Sequence, residues 1–364
     1  MYDLVAAALG AQQLTQAAQM LKQWQQKNPQ DPWLKLAMGQ YWEAKAELEK
    51  AQVTYTRLLQ NTANTKVLGQ AREGVQRVRD QLAQQREHNL SAAKQQPGAE
   101  AAAVLILEPV TGDRREAAVQ GLARVMQIDA YTARTRLPSK NWRLLRAGPA
   151  GELQYLCEQL RAQGAPARWA KVKQIKALPT FRVQAIQAVD PQVTLTCHNS
   201  AGQKGTIQLA WGDITQWVVG QLPIYESVVD LDARGRLKRK DATQDYGEII
   251  DWHLHGRGCI LRFCDRAYRY RDAIPLPPAD SFPSPLIATV AWKAMKRYFE
   301  DCITPAPRAD FTGFGESALD LLELLPPFDS YVDLGRSLPS PWDGAFHLYS
   351  ALRFLTQTKR AEDA

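Results

Sequence analysis

Apolar positions in residues 1 to about 90 recur at helical spacing, and that recurrence itself repeats. Ala17, Leu21 and Trp24 return 34 residues later as Ala51, Tyr55 and Leu58, a period that marks repeat architectures. The segment is rich in Ala, Gln, Leu and Lys and breaks only at 28–32 and 61–64. Asp31 followed by Pro32 predicts a helix cap and first helical residue. Residues 84–100 then turn polar and reach Pro97-Gly98, which predicts a fading helix and a linker over 91–101.

The pattern changes at residue 102. Residues 103–108 (AVLILE) form a continuous apolar run, the mark of a buried strand. A helical stripe of Ala118, Leu122, Val125 and Met126 follows, then a short helix over 130–137 capped by Asp129. A strand over 142–145, a helix over 151–163 and a strand over 167–175 complete a βααβαβ unit spanning 102–177. From residue 181 the period shortens to two, predicting strands at 181–189, 192–197, 206–211, 224–231, 249–255, 259–263 and 267–270. The stretch 212–223 reads as a connection, and an amphipathic helix is predicted over 285–299. This β-rich part is bounded at 178–304. A proline-punctuated extension, 305–364, carries helices over 316–325 and 343–358. Leu319, Leu322 and Leu325, with Phe346, Tyr349, Leu352 and Leu355, predict that it folds back onto the β domain. The fold class is therefore multidomain α+β: a helical repeat domain, a small βααβαβ domain, and an antiparallel β domain with C-terminal helices.

Three stretches resemble known families. Met38, Gly39 and Trp42, ahead of the Ala51–Tyr55–Leu58 stripe, are similar to the Leu-Gly-x-x-Tyr pattern of tetratricopeptide repeats. The preceding copy ends in the family's closing proline, Pro29, but has Val5 at its glycine position. A third copy would place Gly at 73 and Ala at 85, where Glu73 and Gln85 stand. The resemblance implies a protein-binding groove with Met38, Trp42 and Tyr55 as its candidate residues; a plain antiparallel helical bundle is the alternative. The βααβαβ order and the run RAQGAPARWAKV resemble the C-terminal domain of the ribosomal stalk protein and the adaptor of the Clp protease, which implies a docking module. The stretch MQIDAYTARTRL lacks the glycines of the stalk domain's factor-binding segment, so elongation-factor binding is not implied. Seven strands followed by a helix, with LAWGDITQWVVG among them, resemble pleckstrin-homology-like domains.

Charge sharpens the middle of this picture. The chain carries +7 overall, but residues 114–176 alone hold thirteen Arg or Lys against four acids, a local +9. The remainder is net acidic. Arg134, Arg136, Lys140, Arg143, Arg146, Arg168, Lys171 and Lys173 are the candidate residues for an anionic partner. If that partner is RNA, affinity falls steeply with salt, and Tyr131, Trp142 and Trp169 are candidate stacking residues. If it is an anionic membrane surface, each cation near the headgroups contributes on the order of 1 kcal/mol. The segment RGRLKRKD at 234–241, read as a hairpin tip, adds five more basic residues. No run approaches the roughly 18 apolar residues of a membrane span, and five scattered cysteines without framework spacing predict free thiols. A cytoplasmic protein, peripheral to a membrane if its basic module meets lipid, is expected.

Chemistry has one candidate cluster: Asp251, His253, His255, Cys259, Cys264 and Asp265. Side chains two apart on a strand share a face, so His253 and His255 form a geometrically possible metal pair. The competing reading makes both surface residues on the polar face of a strand whose apolar face holds Ile250, Trp252 and Leu254. GxSxG, GxxxxGK[ST], HExxH and GxGxxG patterns are all absent from the sequence, so no cofactor is expected. The sequence thus predicts a non-enzymatic adaptor or scaffold that binds protein partners through its repeats and its basic docking module. An RNA- or ribosome-associated factor acting through 114–176 is the alternative, and a metal-dependent hydrolase at His253 and His255 comes third.

Overall fold

The computed structural model describes residues 1–231, 237–276, 287–303, 308–336 and 340–362. They form two compact units, Met1–Ala93 and Lys94–Ala364. The first is made of α1 (Tyr2–Gly10), α2 (Leu14–Lys27), α3 (Pro32–Ala44), α4 (Leu48–Asn61) and α5 (Thr65–Lys94). The Asp31 carboxylate accepts from the Trp33 N–H at 2.9 Å and from Trp24 Nε1–H at 3.2 Å, so the cap also ties α3 to the end of α2. Both predicted stripes are buried: Ala17, Leu21 and Trp24 against Val5, Leu34 and Ala37, and Ala51, Tyr55 and Leu58 against Leu36, Val67 and Ala71. α3 therefore has two buried faces, one for each neighbour pair. α5 continues to Lys94, so the expected linker begins as helix.

The second unit opens with β1 (Ala102–Leu107), α6 (Arg114–Met126), α7 (Ala130–Arg136), β2 (Arg143–Pro149), α8 (Ala150–Ala162), β3 (Ala167–Lys171) and α9 (Val172–Lys176). The predicted βααβαβ order holds, and the strands form an antiparallel sheet in the order β2-β1-β3. The predicted third strand stops early. The Lys171 N–H donates to Gln174 Oε1 at 3.1 Å, and Val172 and Ile175 are both buried, the i,i+3 spacing of a helical turn.

The rest of this unit is one seven-stranded sheet in the order β10-β7-β8-β9-β4-β5-β6. Its strands are β4 (Thr180–Ala188), β5 (Val193–His198), β6 (Lys204–Leu209), β7 (Gln216–Leu231), β8 (Leu237–Leu254), β9 (Cys259–Cys264) and β10 (Arg308–Asp310), and its helices are α10 (Ala288–Cys302), α11 (Thr312–Leu322) and α12 (Pro341–Glu362). Pairing is antiparallel except where β4 meets β9 and β10 meets β7. The stretch read as a connection, 212–223, is largely β7. Residues 267–270 are not a strand; they turn so that Tyr268 Oη accepts from the Ile186 N–H at 3.0 Å. The basic segment at 234–241 splits, with 234–236 outside the described residues and 237–241 inside β8. The start of the helix predicted over 285–299 also lies outside them.

Both faces of the large sheet are covered over β7–β9. Ile250, Trp252 and Leu254 pack with Trp292, Met295 and Phe299 of α10. On the other face Val218, Leu222 and Ile249 share a core with Phe314, Phe346 and Tyr349 of α11 and α12. Val104, Ile106, Trp142 and Leu144 of the small sheet belong to that same core. The Leu144 N–H donates to Ser317 Oγ at 3.1 Å. Consequently the expected boundaries at 177/178 and 304/305 do not separate cores: β1 is apolar on both faces because each face has its own helical cover. The opposite parity, Ala103, Leu105 and Leu107, packs with Leu122, Leu156 and Leu160.

Candidate functional site

In the helical unit, α1, α3 and α5 lie side by side, joined by side chains. The Tyr2 hydroxyl donates to Gln70 Oε1 at 3.1 Å and accepts from Gln40 Nε2 at 2.9 Å. Arg77 holds both Glu43 oxygens, at 3.0 and 3.2 Å, and Glu43 accepts from the Tyr55 hydroxyl at 2.9 Å. Of the three predicted groove residues, Tyr55 is wholly buried and cannot touch a partner. It is a core residue because its ring fills the gap left by two glycines. A Cβ on Gly39 would stand 2.3 Å from its ring, and one on Gly74 would stand 2.7 Å away. Met38 is half-buried on the α1–α2–α3 core. Trp42 keeps part of its surface, with Lys45 and Lys50 ammonium groups 5.5 and 4.8 Å from its ring.

The basic residues of the βααβαβ module divide into paired and unpaired. Arg134 meets Glu116 at 2.6 Å, Arg146 meets Glu152 at 2.6 Å and Arg168 meets Glu108 at 2.7 Å. Arg143 donates to the Thr135 carbonyl at 3.1 Å. Among the described residues Arg136, Lys140, Lys171 and Lys173 have no acidic partner. The aromatics separate in the same way. Trp142 is buried, edge-on to Tyr349 and 4.0 Å beneath the Arg353 guanidinium, so it is closed to a nucleobase. Trp169 is half-buried. Tyr131 on α7 is 78% exposed and shares that helix with Arg134 and Arg136.

His253 is buried and His255 half-buried, which corrects the reading of both as solvent-facing. The polar parity of β8 lies under α12: His253 Nε2 is 2.9 Å from Ser350 Oγ, and His255 Nε2 donates to the Phe354 carbonyl at 3.0 Å while its ring stacks on Phe354 at 4.1 Å. His255 Nδ1 also meets Thr215 Oγ1. The rings lie 6.0 Å apart, and no group of three or more His, Cys, Asp or Glu among the described residues could hold a metal ion. Burial holds His253 well below the usual histidine range, with His255, Arg262 and Arg353 adding to the effect.

Beside it lies a charged layer that sequence reasoning missed. Arg262 of β9 donates to both oxygens of Asp251 on β8, at 2.8 and 2.6 Å, and to the Ser330 carbonyl. Its guanidinium sits 4.9 Å from the Phe346 ring. Arg336 donates to Asp343 at 2.5 Å, and burial raises the Asp343 carboxyl against the pull of Arg336. The signal was present as a lone arginine inside the apolar run CILRFC, with an aspartate in the strand before it.

At the edge of this layer a cavity of about 330 Å³ is lined by Lys176, Pro327, Phe328, Asp329, Tyr331 and His347. His347 is buried and its Nδ1 has no hydrogen-bond partner among the described residues; burial, with help from Arg262, holds it well below the usual histidine range. Tyr331 has φ 54°, a left-handed backbone that costs a bulky residue on the order of 1–3 kcal/mol.

The five cysteines are unbridged, as expected. Burial pushes the Cys264 thiol up to about 12 and the Cys197 thiol up to about 11, so neither is a ready nucleophile. No helix among the described residues is long and apolar enough to cross a membrane. The sequence matches no protein-family model and no curated protein; geometry alone therefore bears on function.

Proposed function

We propose that this chain is a non-enzymatic adaptor that holds a protein partner on the α1–α3–α5 layer of its helical unit. The observation that carries the reading is the Tyr2–Gln40–Gln70 ladder, which fixes amide and hydroxyl groups in one orientation across three adjacent helices. Groups held in place lose little freedom when a partner's backbone binds them. Trp42 supplies an adjoining aromatic surface of the kind that anchors interfaces. In a pull-down, a partner should survive high-salt washing on the native chain and be lost from Gln40→Ala/Gln70→Ala and from Trp42→Ala proteins of unchanged melting temperature. Retention of the same partner by both variants would refute the reading.

A second reading, RNA binding at α7, is favoured by the exposure of Tyr131 beside Arg134 and Arg136. Single-stranded RNA would stack on Tyr131 and follow the unpaired Arg136 and Lys140. Binding followed by fluorescence anisotropy should weaken with salt by a log–log slope of about −0.7 for each phosphate neutralised. It should also weaken by about 1–3 kcal/mol in Tyr131→Ala. Flat anisotropy at low salt would end this reading.

A further inference from the structure

The cavity beside α9 has a polar floor, aromatic walls and a rim of both charges. His347 forms the floor, Phe328 and Tyr331 flank it with ring centroids 5.8 and 5.3 Å from the imidazole, and Lys176 and Asp329 stand exposed at the mouth. Among the described residues neither Lys176 nor Asp329 makes an ion pair, although both line one cavity. A buried ring nitrogen without a partner is a costly arrangement unless something completes it. The left-handed backbone of Tyr331 is a second unusual feature on the same wall.

The rim narrows the chemistry. An anion would gain Lys176 and be repelled by Asp329, and a cation would meet the reverse. A dipolar molecule with its charges a few bonds apart satisfies both. The volume, about 330 Å³, lies at the small end of ligand pockets. We propose that this cavity binds a zwitterion of free amino-acid size, its carboxylate on Lys176, its ammonium on Asp329, and a polar side-chain atom on the His347 ring. The Phe328 and Tyr331 rings would pack against the side chain between those ends. This site is independent of the adaptor reading, because it uses no residue of the helical unit and none of α7.

Calorimetric titration of the full chain with L-glutamine, L-histidine and L-tryptophan, with L-leucine as the comparison, tests the proposal. At least one polar-tailed amino acid should bind with Kd at or below about 1 mM and at least about tenfold more tightly than L-leucine. Its N-acetyl amide, which has neither charge, should bind at least about tenfold more weakly. Lys176→Met and Asp329→Asn are surface changes that leave the fold intact, and each should weaken binding about tenfold or more. His347→Leu should abolish the preference over L-leucine. The absence of saturable heat from every amino acid up to about 10 mM overturns the proposal. Binding that survives either Lys176→Met or Asp329→Asn overturns the zwitterion assignment.

Discussion

Asp251 and Arg262 are directly opposed in the β8–β9 ladder, and both side chains are wholly excluded from solvent. Two parallel hydrogen bonds join them, and the third guanidinium nitrogen reaches the Ser330 carbonyl, so the pair also fastens the segment between α11 and α12. Removing one partner leaves a buried charge uncompensated. Arg262→Met or Asp251→Leu alone should destabilise by about 3–5 kcal/mol, whereas the double change should recover much of that loss. Chemical denaturation of the three variants decides the matter: a loss in the double variant equal to the sum of the two single losses would mean that the pair is not coupled.

The Tyr55 ring between Gly39 and Gly74 leads to a prediction opposite to that of helix propensity. Alanine is the better helix former by roughly 1 kcal/mol. Gly39→Ala and Gly74→Ala should nevertheless destabilise the helical unit by about 1–3 kcal/mol, because the added methyl overlaps the ring. Tyr55→Phe, which keeps the ring and loses the bond to Glu43, should cost about 1–2 kcal/mol. Thermal melts followed by circular dichroism will show whether the alanine variants are stabilised instead, the result that propensity alone requires.

Two buried histidines set a pH dependence. His253 and His347 are held far below the ordinary value of 6.5 by burial. The unfolded chain therefore takes up protons that the folded chain refuses once pH drops below about 6.5. Stability is full above that value and declines as pH falls, by about 1.4 kcal/mol per pH unit for each histidine. The raised carboxyl of Asp343 acts with the opposite sign, so the clean measurement is a difference between proteins. Urea midpoints at pH 7 and pH 5.5 should separate less in His347→Leu than in the native chain; an unchanged separation would refute the assignment.

Much of the architecture was legible because its signals are local. The stripes Ala17–Leu21–Trp24 and Ala51–Tyr55–Leu58 are buried as their period requires, and the βααβαβ order follows from short runs with clear caps. The third copy was harder. Position 73, which continues the period from Gly39, is Glu73, and the glycine that meets Tyr55 is Gly74, one residue on. His253 read as exposed because its strand alternates, and nothing near it in sequence announces that Ser350, almost a hundred residues later, closes over the polar face. Arg262 and His347 were missed for the same reason: their surroundings are assembled by tertiary contacts with α12 and the segment before it.

The core shared by the two sheets makes residues 94–364 a single structural unit. Cutting between α9 and β4 would expose Val104 and Ile106 on one fragment and Phe346 and Tyr349 on the other, so neither half is ready to be transplanted alone. The small α/β module is tied to its neighbour through this core, and change in its basic surface must leave the face beneath it intact.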